Sequence, residues 1–463
     1  MVNTEQSNNV TELAHPPISR PMNNLSDEQT IFALASGVGK AGIAVFRISG
    51  SSATDTLRRL TKKELPEPRR ATRVQLRDTK SKDILDHGLA VYFPGPASFT
   101  GEDVIELHVH GGRAVIAGIT DALEKLDDVR LAEAGEFTRR AFENGKLDLT
   151  AAEGLADLIN AETAAQRRQA QRQLQGDLGL IYDDWRERLL KAIALFEAEI
   201  DFSDEDLPPG LQEQVAQQIA DLTGEISAHL DDSGQGEILR HGLYITIIGP
   251  PNAGKSSLLN RLSKRDVAIV SETAGTTLDV IEVHLELEGY PVILADTAGL
   301  RDVADCIESE SVRRARERAE IADLKLAVFD GTLWPDQDLH TGELIDDDTL
   351  VVINKSDLLE GSNFDYLAIS AETGDGFEIL LEKLKKEVEQ RCHLSASPAL
   401  TRTRHRVALE RCLQNLTRFP EATETELKAE DLRHAARALG RITGRVDVEE
   451  ILDKIFKEFC IGK

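Results

Sequence analysis

The residues best equipped for chemistry form an ordered set: Gly249-Pro250-Pro251-Asn252-Ala253-Gly254-Lys255-Ser256, then Asp296-Thr297-Ala298-Gly299, then Asn354-Lys355-Ser356-Asp357. The first has the spacing of a phosphate-binding loop. Its backbone N–H groups and the start of a following helix would face phosphates, Lys255 would reach the outer ones, and the Ser256 hydroxyl would hold Mg²⁺. Asp296 would hold the Mg²⁺ shell through water. The Asp357 carboxylate can accept hydrogen bonds from N1–H and the exocyclic amine of guanine. Adenine offers no such pair of donors, and a buried carboxylate left unpaired is costly. Together the three elements predict a guanine-nucleotide switch.

Hydrolysis needs a group that orients water, and many GTPases place a Gln directly after the Asp-x-x-Gly element. Here that position is Leu300, which cannot do so, and the acidic stretch with Asp302, Asp305, Glu308 and Glu310 supplies the candidates. Positive charge near the bridging oxygens is also required, often from an arginine finger worth about 10³ to 10⁵ in rate. A monovalent cation can take that place if the loop aims an oxygen at it. Asn252 is such an oxygen ligand, or equally a turn residue satisfied by its own backbone. The stretch Ser271-Glu272-Thr273-Ala274-Gly275-Thr276-Thr277 has the Gly and Thr content of a switch loop that offers carbonyls to a cation and a hydroxyl to Mg²⁺.

These groups need positioning elements. The apolar run Leu243 to Ile248 reads as a buried strand, Lys255 to Leu262 as the helix after the loop, and Pro291 to Ala295 as a second strand ending at Asp296. Upstream, residues 1 to about 25 read as a disordered leader. The stretch from Thr30 to about Lys146 is mixed, with β-rich runs at Ile43 to Ile48, Ala90 to Phe93 and Val104 to His110. From Thr150 to about Ile200 the Ala, Leu, Gln, Glu and Arg content without Pro predicts long helices. A break at Phe202 to Gly210 precedes renewed helix at Leu211 to Leu230, and helical sequence returns from about Arg402 to Glu458. Helical sequence on both sides of the nucleotide motifs predicts a G domain inserted into one helical domain.

A length of 463 residues allows two to four domains with proper cores. The net charge of −27 argues against a surface made wholly for nucleic acid. Arg167-Arg168 with Arg172, and Arg402, Arg404 and His405, remain local basic faces or plain solvated helix faces. The four cysteines, Cys306, Cys392, Cys412 and Cys460, lack metal-ligand spacing, which suits reduced thiols. No signal or transit pattern and no membrane-length apolar run is visible, so a soluble cytoplasmic protein is expected. Glu106, His108 and His110 alternate along one strand face, as metal ligands can.

From about residue 28 to Lys463 the chain resembles the MnmE/TrmE family of tRNA modification GTPases. The resemblance is carried by Ala41-Gly42-Ile43-Ala44-Val45-Phe46-Arg47-Ile48-Ser49-Gly50, by Ser98-Phe99-Thr100-Gly101-Glu102-Asp103-Val104-Ile105-Glu106-Leu107, and by Gly135-Glu136-Phe137-Thr138 through Asn144-Gly145-Lys146-Leu147-Asp148-Leu149. The nucleotide motifs and the closing Phe459-Cys460-Ile461-Gly462-Lys463 complete it.

The resemblance implies a multidomain α/β + α protein. Its parts would be a leader (1–25), an N-terminal α+β tetrahydrofolate-binding and dimerisation domain (26–146), a helical domain (147–241 and 389–463), and an inserted Ras-like P-loop G domain (242–388). It implies GTP contacts from Asn252, Ala253, Gly254, Lys255, Ser256 and Ser257, from the stretch Ser271 to Thr277, from Asp296, Thr297, Ala298 and Gly299, and from Asn354, Lys355 and Asp357. It further implies Mg²⁺ ligation by Ser256 and Thr277, and K⁺ ligation by Asn252, Ser271, Thr273 and Thr276. Glu308 would be the water-orienting glutamate. Arg47, Glu106, Lys146 and Lys463 would contact a 5-formyl- or methylene-tetrahydrofolate, a site that also accounts for the Glu106, His108 and His110 face. Leu278, before Asp279, departs from the family's usual Arg, as Ala134 departs from a usual Pro and Ser309-Glu310-Ser311 from the usual sequence there.

The expected activity is K⁺-stimulated GTP hydrolysis by a homodimer. With an FAD-containing partner, in a heterotetramer or larger assembly, it would drive folate-dependent addition of a (carboxymethyl)aminomethyl group to C5 of the tRNA wobble uridine. Cys460 is either a nucleophile toward a folate-borne one-carbon unit or a buried small hydrophobe beside Phe456 and Phe459. Two rival readings are a ribosome-assembly or RNA-chaperoning GTPase without one-carbon chemistry, and a signalling switch that recruits partners.

Overall fold

The computed structural model describes residues 29–37, 39–201, 211–232, 234–264, 281–296, 308–335, 338–359, 364–392, 398–422, 424–446 and 448–462. The chain divides into two compact units, one of Met1–Ala156, Gly179–Arg186 and Leu439–Lys463, the other of Asp157–Leu178 and Glu187–Ala438.

The first unit is built on a six-stranded sheet of β1 (Thr30–Leu34), β2 (Ala41–Ser49), β3 (Thr72–Arg77), β4 (Ile84–Phe93), β5 (Val104–Gly111) and β6 (Val129–Leu131) in the order β3-β4-β5-β2-β1-β6. All neighbours are antiparallel except β1 and β6. Because side chains alternate along a strand, Phe46 and Ile48 of β2 and Ile105 and Leu107 of β5 enter one core with Leu57 and Leu60 of helix Ala53–Thr61 and with Ile119 and Leu123 of helix Arg113–Glu124. Residues between them face the other way. Arg47 and Glu106, register partners across β2 and β5, therefore meet on the opposite face, and a one-residue slip would bury both in the core.

That opposite face is covered by Phe137 of helix Glu136–Glu143, which joins Ile31, Ala33 and Ala132 with Phe99 packed against them. The helix closes on a glycine cap: Gly145, at φ +67°, lets its own N–H reach the Phe142 carbonyl and lets Lys146 N–H reach the Ala141 carbonyl. Asn144 Nδ2 donates to the Thr100 carbonyl (2.7 Å), so the cap and the loop before β5 are tied together. Further along, helix Glu449–Lys457 brings Leu452, Ile455 and Phe456 onto Phe142, Leu149 and Ala152.

The second unit holds another six-stranded sheet, of β7 (Leu243–Ile248), β8 (Ile281–Leu287), β9 (Tyr290–Asp296), β10 (Leu324–Asp330), β11 (Thr349–Asn354) and β12 (Leu367–Ala368), in the order β12-β11-β10-β7-β9-β8. Only the β8–β9 pair is antiparallel. Ile245, Ile247 and Ile248 of β7 are fully or almost fully buried, as a central parallel strand covered on both faces requires. Helices Lys255–Ser263 and Phe377–Cys392 supply Leu258, Leu259, Leu262, Leu380, Leu381 and Leu384 to the main core, each side chain contributing about 1.5–3 kcal/mol on burial. Strand order reverses at β7, so the crevice beyond its carboxyl end is where such a sheet binds ligands.

The same unit contains the helices Ala164–Leu174, Leu211–Leu230, Gln235–His241 and Thr403–Arg418. Helix Ala164–Leu174 opens on a capping box in which Thr163 and Gln166 satisfy each other's backbone N–H. The expected long helical stretch is thus interrupted at Glu162-Thr163 and again at Gly176, which has φ +93°. No helix among the described residues is long and apolar enough to cross a membrane.

Candidate functional site

β7 delivers the chain into the loop Gly249–Gly254. Gly249 lies so close to β10 that a Cβ there would fall 2.2 Å from the Val328 carbonyl oxygen, and Gly254, at φ +93°, would place a Cβ 2.1 Å from Asn354 Nδ2. The loop can turn only with glycine at both places. Asn252 adopts φ +60° and its side chain is exposed at the loop, an arrangement open to both readings of it, ligand and turn residue.

Lys255, the first residue of the following helix, is buried and donates to the carbonyls of Gly249 (2.8 Å) and Pro250 (2.9 Å). Burial pushes its ammonium below the ordinary lysine range, opposed by the charges of Asp296 and Asp338. A polyanion there would favour the charged form. Ser256 Oγ donates to Oδ2 of Asp296 (2.8 Å), a fully buried carboxylate at the end of β9. A hydroxyl and a carboxylate converging beside a helix N-terminus form a hard-oxygen set of the kind Mg²⁺ takes. Ser257 is exposed on the same helical turn.

Asn354 ends β11 and acts as a strut. Its Nδ2 donates to the Ala253 carbonyl (2.8 Å), and its Oδ1 accepts the Ala371 N–H (2.9 Å). Lys355, at φ +64°, ion-pairs with Asp330 at 2.5 Å. Burial would raise the Asp330 carboxyl, but hydrogen bonds from Lys355 and Thr332 hold it below the usual range. Asp357 lies exposed on the turn Ser356–Leu358 at the carboxyl end of the sheet, where a base can reach it. Thus Asn252, Ala253, Gly254, Lys255, Ser256, Asp296, Asn354, Lys355 and Asp357 all sit at the carboxyl ends of β7, β9 and β11. Residues Ser271, Glu272, Thr273, Ala274, Gly275, Thr276 and Thr277, Thr297, Ala298 and Gly299, and also Leu278, Leu300 and Lys463, lie outside the described residues, while Glu308 is described only as the first residue of helix Glu308–Ile321.

A second polar cavity, of about 370 Å³, opens in the first unit. It is lined by Arg47, Glu106 and Lys146 together with Arg69, Phe93, Phe99 and Val104. Arg47 donates to Glu106 Oε1 from Nη2 (3.0 Å) and Nε (3.2 Å), and its guanidinium carbon lies 5.4 Å from the Phe99 ring centre and 5.8 Å from that of Phe137. His108 Nε2 is buried, makes no hydrogen bond among the described residues and lies 3.5 Å from Glu106 Oε2. His110, by contrast, shares a hydrogen bond between its Nδ1 and Asp86 Oδ1 (2.8 Å). The cavity thus offers a cation stacked on two aromatic rings, a carboxylate held by that cation, and a lysine, a polar set with apolar walls.

Cys460 is exposed, which overturns the reading of it as a buried small hydrophobe, while its neighbours Phe456 and Phe459 carry the packing. Ile461 bridges to Ala134, and Gly462 lies against the Leu34 carbonyl, where a Cβ would fall at 2.4 Å. The two readings of Arg402, Arg404 and His405, a local basic face or a solvated helix face, are both corrected for Arg402 and His405. Arg402 and His405 are buried, and Arg402 Nη2 and Arg240 Nε both donate to Asp157 Oδ1 at 2.9 Å. Arg172 is held by Asp177 (3.4 Å).

Sequence reasoning missed Arg69, Phe93 and the loop Ser370–Thr373, which packs beside Asn354. A signal for the loop existed, since the apolar stretch ending at Ile369 before Ser370 is another strand end. For Arg69, at φ +59°, none did.

Residues 149–460 match the family model described as the MnmE helical domain, and residues 30–146 match that of the GTP-binding protein TrmE N-terminus. The tRNA modification GTPase MnmE of Paramagnetospirillum magneticum is 58% identical over 441 residues, covering 94% of this chain and 100% of its own. A mitochondrial 5-taurinomethyluridine tRNA synthase subunit of Danio rerio is 47% identical over 468 residues, covering 94% of this chain and 93% of its own. Among solved structures, Aquifex aeolicus Era bound to GDP·AlF4⁻ is 24% identical at a TM-score of 0.26, covering 39% of this chain and 68% of that one, a likeness too partial to bear on function.

Proposed function

The chain belongs to the MnmE/TrmE family of tRNA modification GTPases, and we propose that it hydrolyses GTP to drive modification of the tRNA wobble uridine. In this reading it acts as a K⁺-stimulated homodimer with an FAD-containing partner and a tetrahydrofolate derivative, adding a (carboxymethyl)aminomethyl group at C5. The observation that carries it is the presence in one chain of two sites: a phosphate loop with Ser256 on Asp296, and a cavity pairing Arg47 with Glu106 beside Lys146.

At the first site the loop N–H groups and Lys255 hold the β- and γ-phosphates, and Asp357 reads guanine. Mg²⁺, when bound, neutralises charge developing on the phosphate oxygens, and Ser256 and Asp296 are the described residues that would hold it. Asn252 offers an oxygen to K⁺. Glu308, at the start of its helix, orients water for attack on the γ-phosphorus, so that a new P–O bond forms as the bond to GDP breaks. At the second site Glu106 accepts from a pterin-like N–H edge, Arg47 holds that carboxylate in place, and Lys146 meets a carboxylate tail. Exposed Cys460 is available as a nucleophile toward a one-carbon unit.

Two measurements on the purified chain test this. GTP turnover should be faster in KCl than in NaCl, and 5-formyltetrahydrofolate should bind wild type but bind Arg47→Met at least tenfold more weakly with GTP turnover unchanged. In cells lacking the protein, mass spectrometry of tRNA nucleosides should show loss of C5-substituted wobble uridines. Unchanged nucleosides together with absent folate binding would favour the assembly-factor rival.

A further inference from the structure

The helix after the phosphate loop also reaches the base end of the cleft. Its second turn carries Arg261, whose Nη1 donates to the carbonyls of Ala371 (2.9 Å) and Glu372 (2.9 Å) and whose Nη2 donates to that of Thr373 (2.8 Å). The guanidinium carbon stands 5.8 Å from the Phe377 ring centre. Three converging carbonyls suit a planar cation with a fork of fixed donors, and no other side chain offers that geometry. Gly374 confirms how closely the fork fits. It adopts φ +96°, and a Cβ there would lie 2.3 Å from Arg261 Nη2.

The loop that Arg261 grips is joined on its other side to the strand end that carries Asp357. Ala371 N–H donates to Asn354 Oδ1, and Ser356 N–H donates to the Ile369 carbonyl (3.0 Å). Asn354 in turn grips Ala253 of the phosphate loop. A closed circuit results: phosphate loop, its helix, Arg261, loop 371–373, Asn354, phosphate loop. The circuit sets the separation between the phosphate-binding N–H groups and the turn that bears Asp357.

We propose that Arg261 is a positioning residue for guanine recognition, holding loop 371–373 against the Asp357 turn so that the base end of the cleft is preformed. The inference rests on the guanine-nucleotide reading of this site. It makes Arg261 a determinant of nucleotide affinity and base selectivity although it lies away from the reacting phosphate. A purely structural arginine would affect stability and leave the contrast between base-bearing and base-free ligands untouched.

The test is binding of a fluorescent GDP analogue to the full chain by stopped flow, with competition by inorganic pyrophosphate and by IDP, for wild type, Arg261→Gln and Arg261→Lys. Arg261→Gln should weaken GDP at least tenfold, mainly through faster release, narrow the preference for GDP over IDP, and leave pyrophosphate within about twofold. Arg261→Lys should recover part of the loss, since an ammonium cannot serve three carbonyls in one plane. If Arg261→Gln does not fold, Gly374→Ala perturbs the same junction from the loop side and should shift GDP and pyrophosphate apart in the same way. GDP affinity within twofold of wild type in a folded variant, or equal weakening of GDP and pyrophosphate, overturns the proposal. Failure of wild type to bind the GDP analogue at all overturns the underlying nucleotide reading and the proposal with it.

Discussion

Ser256 Oγ and Asp296 Oδ2 stand 2.8 Å apart, so the first turn of the phosphate-loop helix and the end of β9 meet at a single point. Ser256 and Asp296 are the described residues that would hold a Mg²⁺ ion there, which would supply charge neutralisation to the phosphates. Asp296→Ala should therefore cut GTP hydrolysis at saturating Mg²⁺ about 100-fold or more, roughly 3 kcal/mol of barrier, while GDP binding in EDTA stays within a few fold. Turnover titrated against Mg²⁺ is the check, and an unchanged titration curve would make the pair merely structural.

Asp157 gathers two guanidinium groups from distant parts of the chain. Arg240 lies in helix Gln235–His241, which leads into β7, and Arg402 stands directly before helix Thr403–Arg418. The carboxylate is 13% exposed and Arg402 is 7% exposed. Asp157→Asn removes the charge both arginines share and should destabilise the fold by about 2–4 kcal/mol, read from urea unfolding. Replacing Arg433, whose ion pair with Glu197 is nearly half exposed, should leave the urea midpoint almost unmoved.

Acid should weaken the first unit through Glu136. Burial acts to raise its carboxyl, but hydrogen bonds from Arg130 and from the Glu133 N–H, with the charge of Arg140, outweigh burial and hold it below the ordinary range. A carboxyl depressed by folding contributes stability above its unfolded pKa and loses it as pH falls through about 4.3 and on to the depressed value. Glu136→Gln should thus be less stable than wild type at pH 7, and the gap in thermal midpoint should narrow toward pH 3. A gap independent of pH would count against the linkage.

The three described thiols should react in an order set by burial. Cys392 and Cys412 are buried, with thiols pushed up to about 12 by burial, whereas Cys460 is exposed. Maleimide at pH 7 followed by peptide mass spectrometry should label Cys460 first and reach Cys392 and Cys412 only in denaturant. Early labelling of Cys412 would contradict the packing around helix Thr403–Arg418.

The strands and helix that carry the nucleotide motifs were legible because their signals are local. Loop spacing, a continuous apolar strand at Leu243–Ile248 and an Asp at the end of the next strand all lie within short stretches of chain, where backbone chemistry alone restricts the conformation. Polar pairs far apart in the chain were not legible from spacing: Arg47 and Glu106, grouped in one site only by the family resemblance, meet across 59 positions because of strand register, Arg261 meets Ala371 across 110, and Arg402 meets Asp157 across 245.

The sequence by itself thus determined the spacing of the loop Gly249–Ser256, the apolar strand that ends at Asp296 and the strand-end position of Asn354 ahead of Asp357. Tertiary structure alone decided that Arg402 and His405 are interior groups rather than a basic face, that Cys460 is exposed beside buried Phe459, and that Arg261 holds the base loop. A charged residue looks alike in sequence whether it meets water or a buried partner, and only packing brings that partner within reach.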